Sequence, residues 1–180
     1  APAPAPDEKQ DLAAITRGFA ELRKWGTTSV CNIEAFPELM LRLGAPPIRT
    51  WSFYEMIDIR HRYTSEEVVA GALAFFTHRD TPLAQFGLSP HAPFTASATL
   101  YQLANTCADA LAMPLTTHVA ESREELQMFR EASGPLYSFL DSLQRPMSDC
   151  GYHAPFAHLW LQGAIDSRWL LAHMNELTEE

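Results

Sequence analysis

Helical and strand-like apolar patterns alternate along this chain, and that alternation limits the available folds more than any other feature. Leu12, Ile15, Phe19 and Leu22 recur at helical spacing and stop at Gly26, a residue suited to the end of a helix. A short β-rich run, TTSVCNIE (27–34), follows. FPELMLRLG (36–44) is again helical and closes at Gly44, and PIRTWSFYEMI (47–57) is strand-like. TSEEVVAGALAFFTH (64–78) opens with a capping-box pattern, Thr64 or Ser65 with Glu67. LAQFGLSP (83–90) reads as a strand running into a Pro-terminated loop, and SATLYQLANTCADALA (97–112) reads as a helix. MPLTTHV (113–119), an acidic helix start at ESREELQMFREA (121–132), an irregular stretch over 134–163 with two short helices, and the strand RWLLAHMN (168–175) complete about five strand-to-helix units. Such a series predicts an α/β fold, a parallel sheet flanked by helices, built either as an open doubly wound sheet or as part of a (β/α)8 barrel.

The whole of 1–180 reads as one partial domain, with APAPAPDEKQ (1–10) as an extended, Pro-rich lead-in. That start has neither the basic nor the apolar region of a signal peptide, and no apolar run approaches the roughly 18 residues of a membrane span. A net charge of −9 and scattered Lys and Arg oppose nucleic acid and anionic membranes as partners. Cys31, Cys107 and Cys150 lie far apart without C-x-x-C spacing, which suits a reducing, cytoplasmic setting.

No Gly-rich phosphate loop follows any strand, which removes the usual nucleotide readings. Histidine follows the strands instead. His91 falls in the loop after the third strand, His118 at the end of the fourth and His173 at the end of the fifth. In a parallel barrel all three face the C-terminal mouth, where such enzymes build their sites. A single strand-end histidine is more often structural, but three at equivalent ends point to a site. His61, His78, His153 and His158 have no comparable partner and read as structural. Glu121, three residues after His118, can serve the dipole of the following helix, as Glu124 and Glu125 can. At that spacing it can also share one bound water with His118, the imidazole holding a metal and the carboxylate taking the proton.

GLSPHAPFTAS (87–97), PLTTHVAESREE (114–125) and LLAHMNELTEE (170–180), in this order, resemble the amidohydrolase superfamily. The nearest branch holds cytosine and guanine deaminases, S-adenosylhomocysteine and aminofutalosine deaminases, and triazine chlorohydrolases. GTTSVCNI (26–33) is similar to the second barrel strand of that branch, so the resemblance covers nearly the whole chain. It implies a divalent metal, zinc first with iron or manganese as alternatives, carrying a hydroxide that attacks a ring carbon of a small nitrogen heterocycle. By the same resemblance His118 is a metal ligand, Glu121 is the acid/base, His173 orients the attacking hydroxide and His91 contacts the substrate. Glu55 and Asn175, also at strand ends, are read first as structural and only then as supporting groups.

The first strand of that family brings an H-x-H pair of ligands and the eighth an Asp, and neither is present here. The chain therefore reads as barrel strands two to six of a longer metal-dependent deaminase acting on non-peptide C–N bonds. With His118 as the one firm ligand, the chain alone is expected to hold zinc poorly and to be inactive. Its open sheet edges favour self-association and are compatible with a homo-oligomer. The competing expectation is a truncated, inactive barrel remnant that acts as a structural or interaction module.

Overall fold

The computed structural model describes residues 8–59, 63–76 and 84–178. The expected lead-in falls mainly outside these residues, as do His61 and His78, and residues 8–10 already belong to the first helix. The elements are α1 (Glu8–Lys24), β1 (Ser29–Glu34), α2 (Pro37–Leu43), β2 (Arg49–Met56), α3 (Ser65–Phe76), β3 (Ala84–Pro90), α4 (Ala98–Leu111), β4 (Leu115–Val119), α5 (Arg123–Glu131), α6 (Gly134–Ser142), α7 (Pro155–Leu161) and β5 (Trp169–His173). The capping box at α3 belongs to Thr64: its N–H donates to Glu67 Oε2 at 2.8 Å, and its Oγ1 accepts from the Glu67 N–H at 3.2 Å.

All five strands are parallel and pair in chain order, β1-β2-β3-β4-β5. This order separates the two architectures left open above. A doubly wound sheet reverses its strand order at a switch point, whereas sequential parallel strands keep every crossover helix on one side. The sheet curls into a half-barrel, the partial (β/α)8 fold expected from the sequence.

Alternation along the strands divides the residues between two faces. Met56, Leu88, Leu115, Val119 and Trp169 point to the helices and join Val69, Ala72, Leu100, Tyr101, Ala104 and Ala108 in the main core. The alanines on α4 let that helix lie close to the sheet, and Tyr101 Oη reaches Thr117 Oγ1 at 2.8 Å. The residues between them face the concave side. Gly87 is needed there, because a Cβ at that position would stand 2.6 Å from the Phe53 ring and 2.6 Å from the Pro114 carbonyl. A second, smaller core of Met128, Phe129, Leu140 and Cys150 ties α5 to α6.

Candidate active site

The strand register delivers the site. Glu55 pairs with Ser89 across β2 and β3, and His118 pairs with Ala172 across β4 and β5, so Glu55 and His118 both lie on the concave face near the C-terminal rim. His91 follows directly after β3, and its carbonyl accepts the His118 N–H at 2.8 Å, continuing the ladder past the end of the strand. His173 has the parity of Val119, a residue of the helix-facing core. A left-handed turn, φ 72 at His173 and φ 56 at Met174, turns the ring to the mouth instead. Backbone held in this region by non-glycine residues costs on the order of 1 kcal/mol or more and concentrates at functional sites.

The rings of His91 and His118 lie 5.2 Å apart, and those of His118 and His173 5.0 Å apart. His173 Nε2 stands 3.8 Å from Glu121 Oε1, and His91 Nε2 stands 3.9 Å from Glu55 Oε1. The four residues expected from sequence therefore converge on one mouth, and Glu55 joins them. One ligand atom from each of Glu55, His91 and His118 lies within 4.8 Å of the others.

The electrostatics fit a cation. Burial, and then the neighbouring His91 and His173, hold the His118 imidazole below its usual value. Burial lowers His91 as well, against the pull of Glu121. Both rings thus keep a free lone pair at neutral pH. Burial pushes the Glu55 carboxyl up, a sign that its negative charge lacks a full counter-charge. His118 Nδ1 and, on the concave face beside Glu55, Ser89 Oγ are buried without a hydrogen-bond partner. Two imidazoles and a carboxylate form a known catalytic zinc set that leaves one position open.

The expectation that the chain alone is inactive is overturned by this geometry. It rested on His118 as the one firm ligand and on Glu55 as a structural residue. Parallel register places Glu55 and His91 beside His118, so the chain itself carries a complete three-ligand candidate site. The sequence reading missed this because β2 and β4 are not adjacent, and their shared face depends on β3 between them.

The model of the amidohydrolase family matches residues 7–178. The chain belongs to the amidohydrolase family. Over 129 residues the chain is 35% identical to the aminodeoxyfutalosine deaminase of Deinococcus radiodurans, covering 70% of this chain and 31% of that protein. It is 31% identical to the 5-methylthioadenosine/S-adenosylhomocysteine deaminase of Aquifex aeolicus, covering 98% of this chain and 37% of the relative. A zinc-bound adenosine deaminase from Xanthomonas campestris superposes with a TM-score of 0.73 at 24% identity, over 97% of this chain and 37% of that one, a likeness of fold. The chain thus spans about a third of the length of these curated relatives. No helix among its described residues is long and apolar enough to cross a membrane.

Several residues that hold the site carried no functional reading in the sequence. Thr95 Oγ1 meets His91 Nδ1 at 2.5 Å. Arg145 donates to the Pro93 and Phe94 carbonyls, each at 3.0 Å, and pairs with both oxygens of Asp149 at 2.6 and 2.7 Å. Asp58 accepts from the Ser97 N–H at 2.8 Å and from Ser65 Oγ at 2.7 Å. Glu125 is fully buried under the turn that carries Glu121. Of these, only Glu125 left a local signature, the S-x-x-E capping box with Ser122.

Proposed function

We propose that this protein removes an exocyclic amino group from an adenine-like nitrogen heterocycle, with Glu55, His91 and His118 holding a divalent cation. The observation that carries this reading is the three-ligand cluster beside the Glu121–His173 pair. Zinc suits the mixed nitrogen and oxygen donor set, and iron or manganese suits it too. When bound, such a cation supplies Lewis acidity and makes water acidic near neutral pH.

The protein's own groups do the rest. Glu121 is exposed at the mouth and takes a proton from the water that attacks the amino-bearing ring carbon. Its carboxyl then returns that proton to the exocyclic nitrogen as the C–N bond breaks, so ammonia leaves, and the proton still on the added hydroxyl passes to the adjacent ring nitrogen to leave a ring carbonyl. His173, facing Glu121, orients the attacking water. In this reading His91 serves the cation rather than the substrate ring, because its Nε2 turns to Glu55. The names of the relatives support an adenine-bearing substrate, since one acts on 5-methylthioadenosine and S-adenosylhomocysteine.

Ammonia release from 5-methylthioadenosine by the zinc-loaded 180-residue chain, together with metal content by mass spectrometry, tests the proposal. Glu121→Gln should slow release by about 10²- to 10⁴-fold while retaining metal, and His118→Ala should lose both metal and activity. Equal metal loss in the two variants, or an unchanged rate in Glu121→Gln, would overturn the assignment.

A further inference from the structure

The turn between β4 and α5 has to place the Glu121 carboxyl at the mouth although the chain reverses direction there. Ala120 stands at φ 52, a left-handed residue in the middle of the turn. Two bonds meet the Glu121 peptide from opposite sides. The Glu121 N–H donates to Glu125 Oε2 at 2.7 Å, and the Glu121 carbonyl accepts from Asn175 Nδ2 at 3.2 Å. The other carboxylate oxygen of Glu125 accepts the Ala120 N–H at 3.2 Å. Glu125 is itself anchored, its N–H donating to the N-cap Ser122 Oγ at 3.3 Å. The chain after β5 covers the same turn with its backbone: Met174 N–H donates to the Val119 carbonyl at 3.0 Å, and the Asn175 and Glu176 N–H groups donate to Ala120 at 2.9 and 3.0 Å.

This arrangement extends an ordinary capping box. There the carboxylate at the third helical position reaches back to the N–H of the capping residue. Here the Glu125 carboxyl keeps the Ser122 N–H within reach and extends one and two residues further, to the N–H groups of Glu121 and Ala120. Its burial is complete, so it serves neither solubility nor the helix dipole at the surface, and it does not open onto the mouth. Glu124, its exposed neighbour on the same helix, makes no comparable bond to the turn among the described contacts.

We infer that Glu125 and Asn175 are positioning residues that clamp the Glu121 peptide from its N–H and carbonyl sides and thereby hold the Glu121 carboxyl opposite His173. The inference rests on Glu121 being the proton carrier of the proposed function for its catalytic consequence, but not for its geometry. Glu125→Gln is nearly isosteric, yet it turns one acceptor of backbone N–H groups into a donor. Asn175→Ala releases only the carbonyl side and is mild enough to fold should Glu125→Gln fail to. Glu124→Gln removes the same charge from the same helical turn and is the control.

The test uses the 180-residue chain in three measurements. In the metal-free protein, amide exchange at Ala120 and Glu121 should quicken about tenfold or more in Glu125→Gln and stay unchanged in Glu124→Gln. The ring ¹⁵N shifts of His173 should move in Glu125→Gln and in Asn175→Ala, because the carboxyl that faces the ring is displaced. With zinc bound, kcat on 5-methylthioadenosine should fall about 10- to 100-fold in Glu125→Gln, with KM and metal content unchanged. Unchanged exchange and unchanged His173 shifts would overturn the inference, and so would loosened amides with undiminished kcat. If the wild-type chain binds zinc and releases no ammonia, the proposed function fails, and the exchange and His173 signals still decide the clamp.

Discussion

The loop that carries His91 and the turn that carries Glu121 open onto the same mouth, yet groups of opposite charge hold them. In the first, a guanidinium grips carbonyls: Arg145 binds the Pro93 and Phe94 oxygens and is neutralised by Asp149. In the second, a carboxyl grips amides: Glu125 binds the Ala120 and Glu121 N–H groups and has no cation beside it among the described contacts. The difference lies in titration. A guanidinium keeps its charge at every accessible pH, whereas a buried carboxyl without a counter-ion is drawn toward its neutral form. Burial pushes Glu125 up to about 7, against the pull of the Glu121 and Ala120 N–H groups. Burial also raises Asp149, but the hydrogen bonds and charge of Arg145 outweigh it and hold that carboxyl below its usual value.

The largest effect should come from breaking the first grip. Arg145→Met leaves the half-buried Asp149 with His158, 3.8 Å away, in place of the guanidinium and strips the Pro93 and Phe94 carbonyls of their donor. Loss of one partner of a buried pair costs about 3 to 5 kcal/mol. Urea unfolding at pH 7 measures it, and a loss below about 1 kcal/mol would show that the guanidinium does not anchor this loop.

A pH series should separate the two grips next. Glu125 keeps its proton to higher pH in the folded chain than in the unfolded one, so between its ordinary 4.5 and about 7 the folded state binds more protons. Stability from this group is therefore full below pH 4.5, falls as pH rises through about 7, and is flat above. The expected span is on the order of 3 kcal/mol, and it should vanish in Glu125→Gln. Asp149 has the opposite sign. Its folded value lies below its ordinary 3.8, so its contribution is present above that pH and is lost as pH falls further. Unfolding curves of wild type and Glu125→Gln that stay parallel from pH 5 to 7.5 would remove the distinction.

The smallest effect sharpens the comparison at the helix caps. Among the described contacts Ser122 Oγ accepts only the Glu125 N–H, whereas Ser97 Oγ accepts the Leu100 N–H at 3.1 Å and also donates to Asp58 at 2.5 Å. Ser122→Ala should cost about 1 kcal/mol and Ser97→Ala about 2 kcal/mol, read as an ordered pair of melting temperatures. A reversed order would mean that the Asp58 bond contributes nothing to the His91 loop.

Much of this was legible before any coordinates. The alternation of Leu12, Ile15, Phe19 and Leu22 with TTSVCNIE, and its repetition down the chain, announced a parallel α/β sheet. The strand-end positions of His91, His118 and His173 announced a mouth. Glu55 was undervalued, because nothing within four residues of it distinguishes a ligand from a structural carboxylate. Arg145 carries no signal for its role because the Pro93 and Phe94 carbonyls it binds lie about 50 residues away in sequence, and Asp149 acts on that loop only through Arg145.

What the sequence determined by itself is therefore local: apolar periodicity, the capping box at the start of α3, and the succession of strand and helix, all set by residues within about four positions of one another. From these follow the number of strands and their common direction. The place of Glu55 in the site and the mutual geometry of its members were decided only by tertiary structure. Cross-strand register brings Glu55 to His91 and His118, a left-handed turn swings His173 off its strand's parity, and hydrogen bonds from Arg145 and Asn175 to backbone more than 50 residues away hold the two loops. None of these has a periodic signature, because each depends on which segments become neighbours once the sheet has curled.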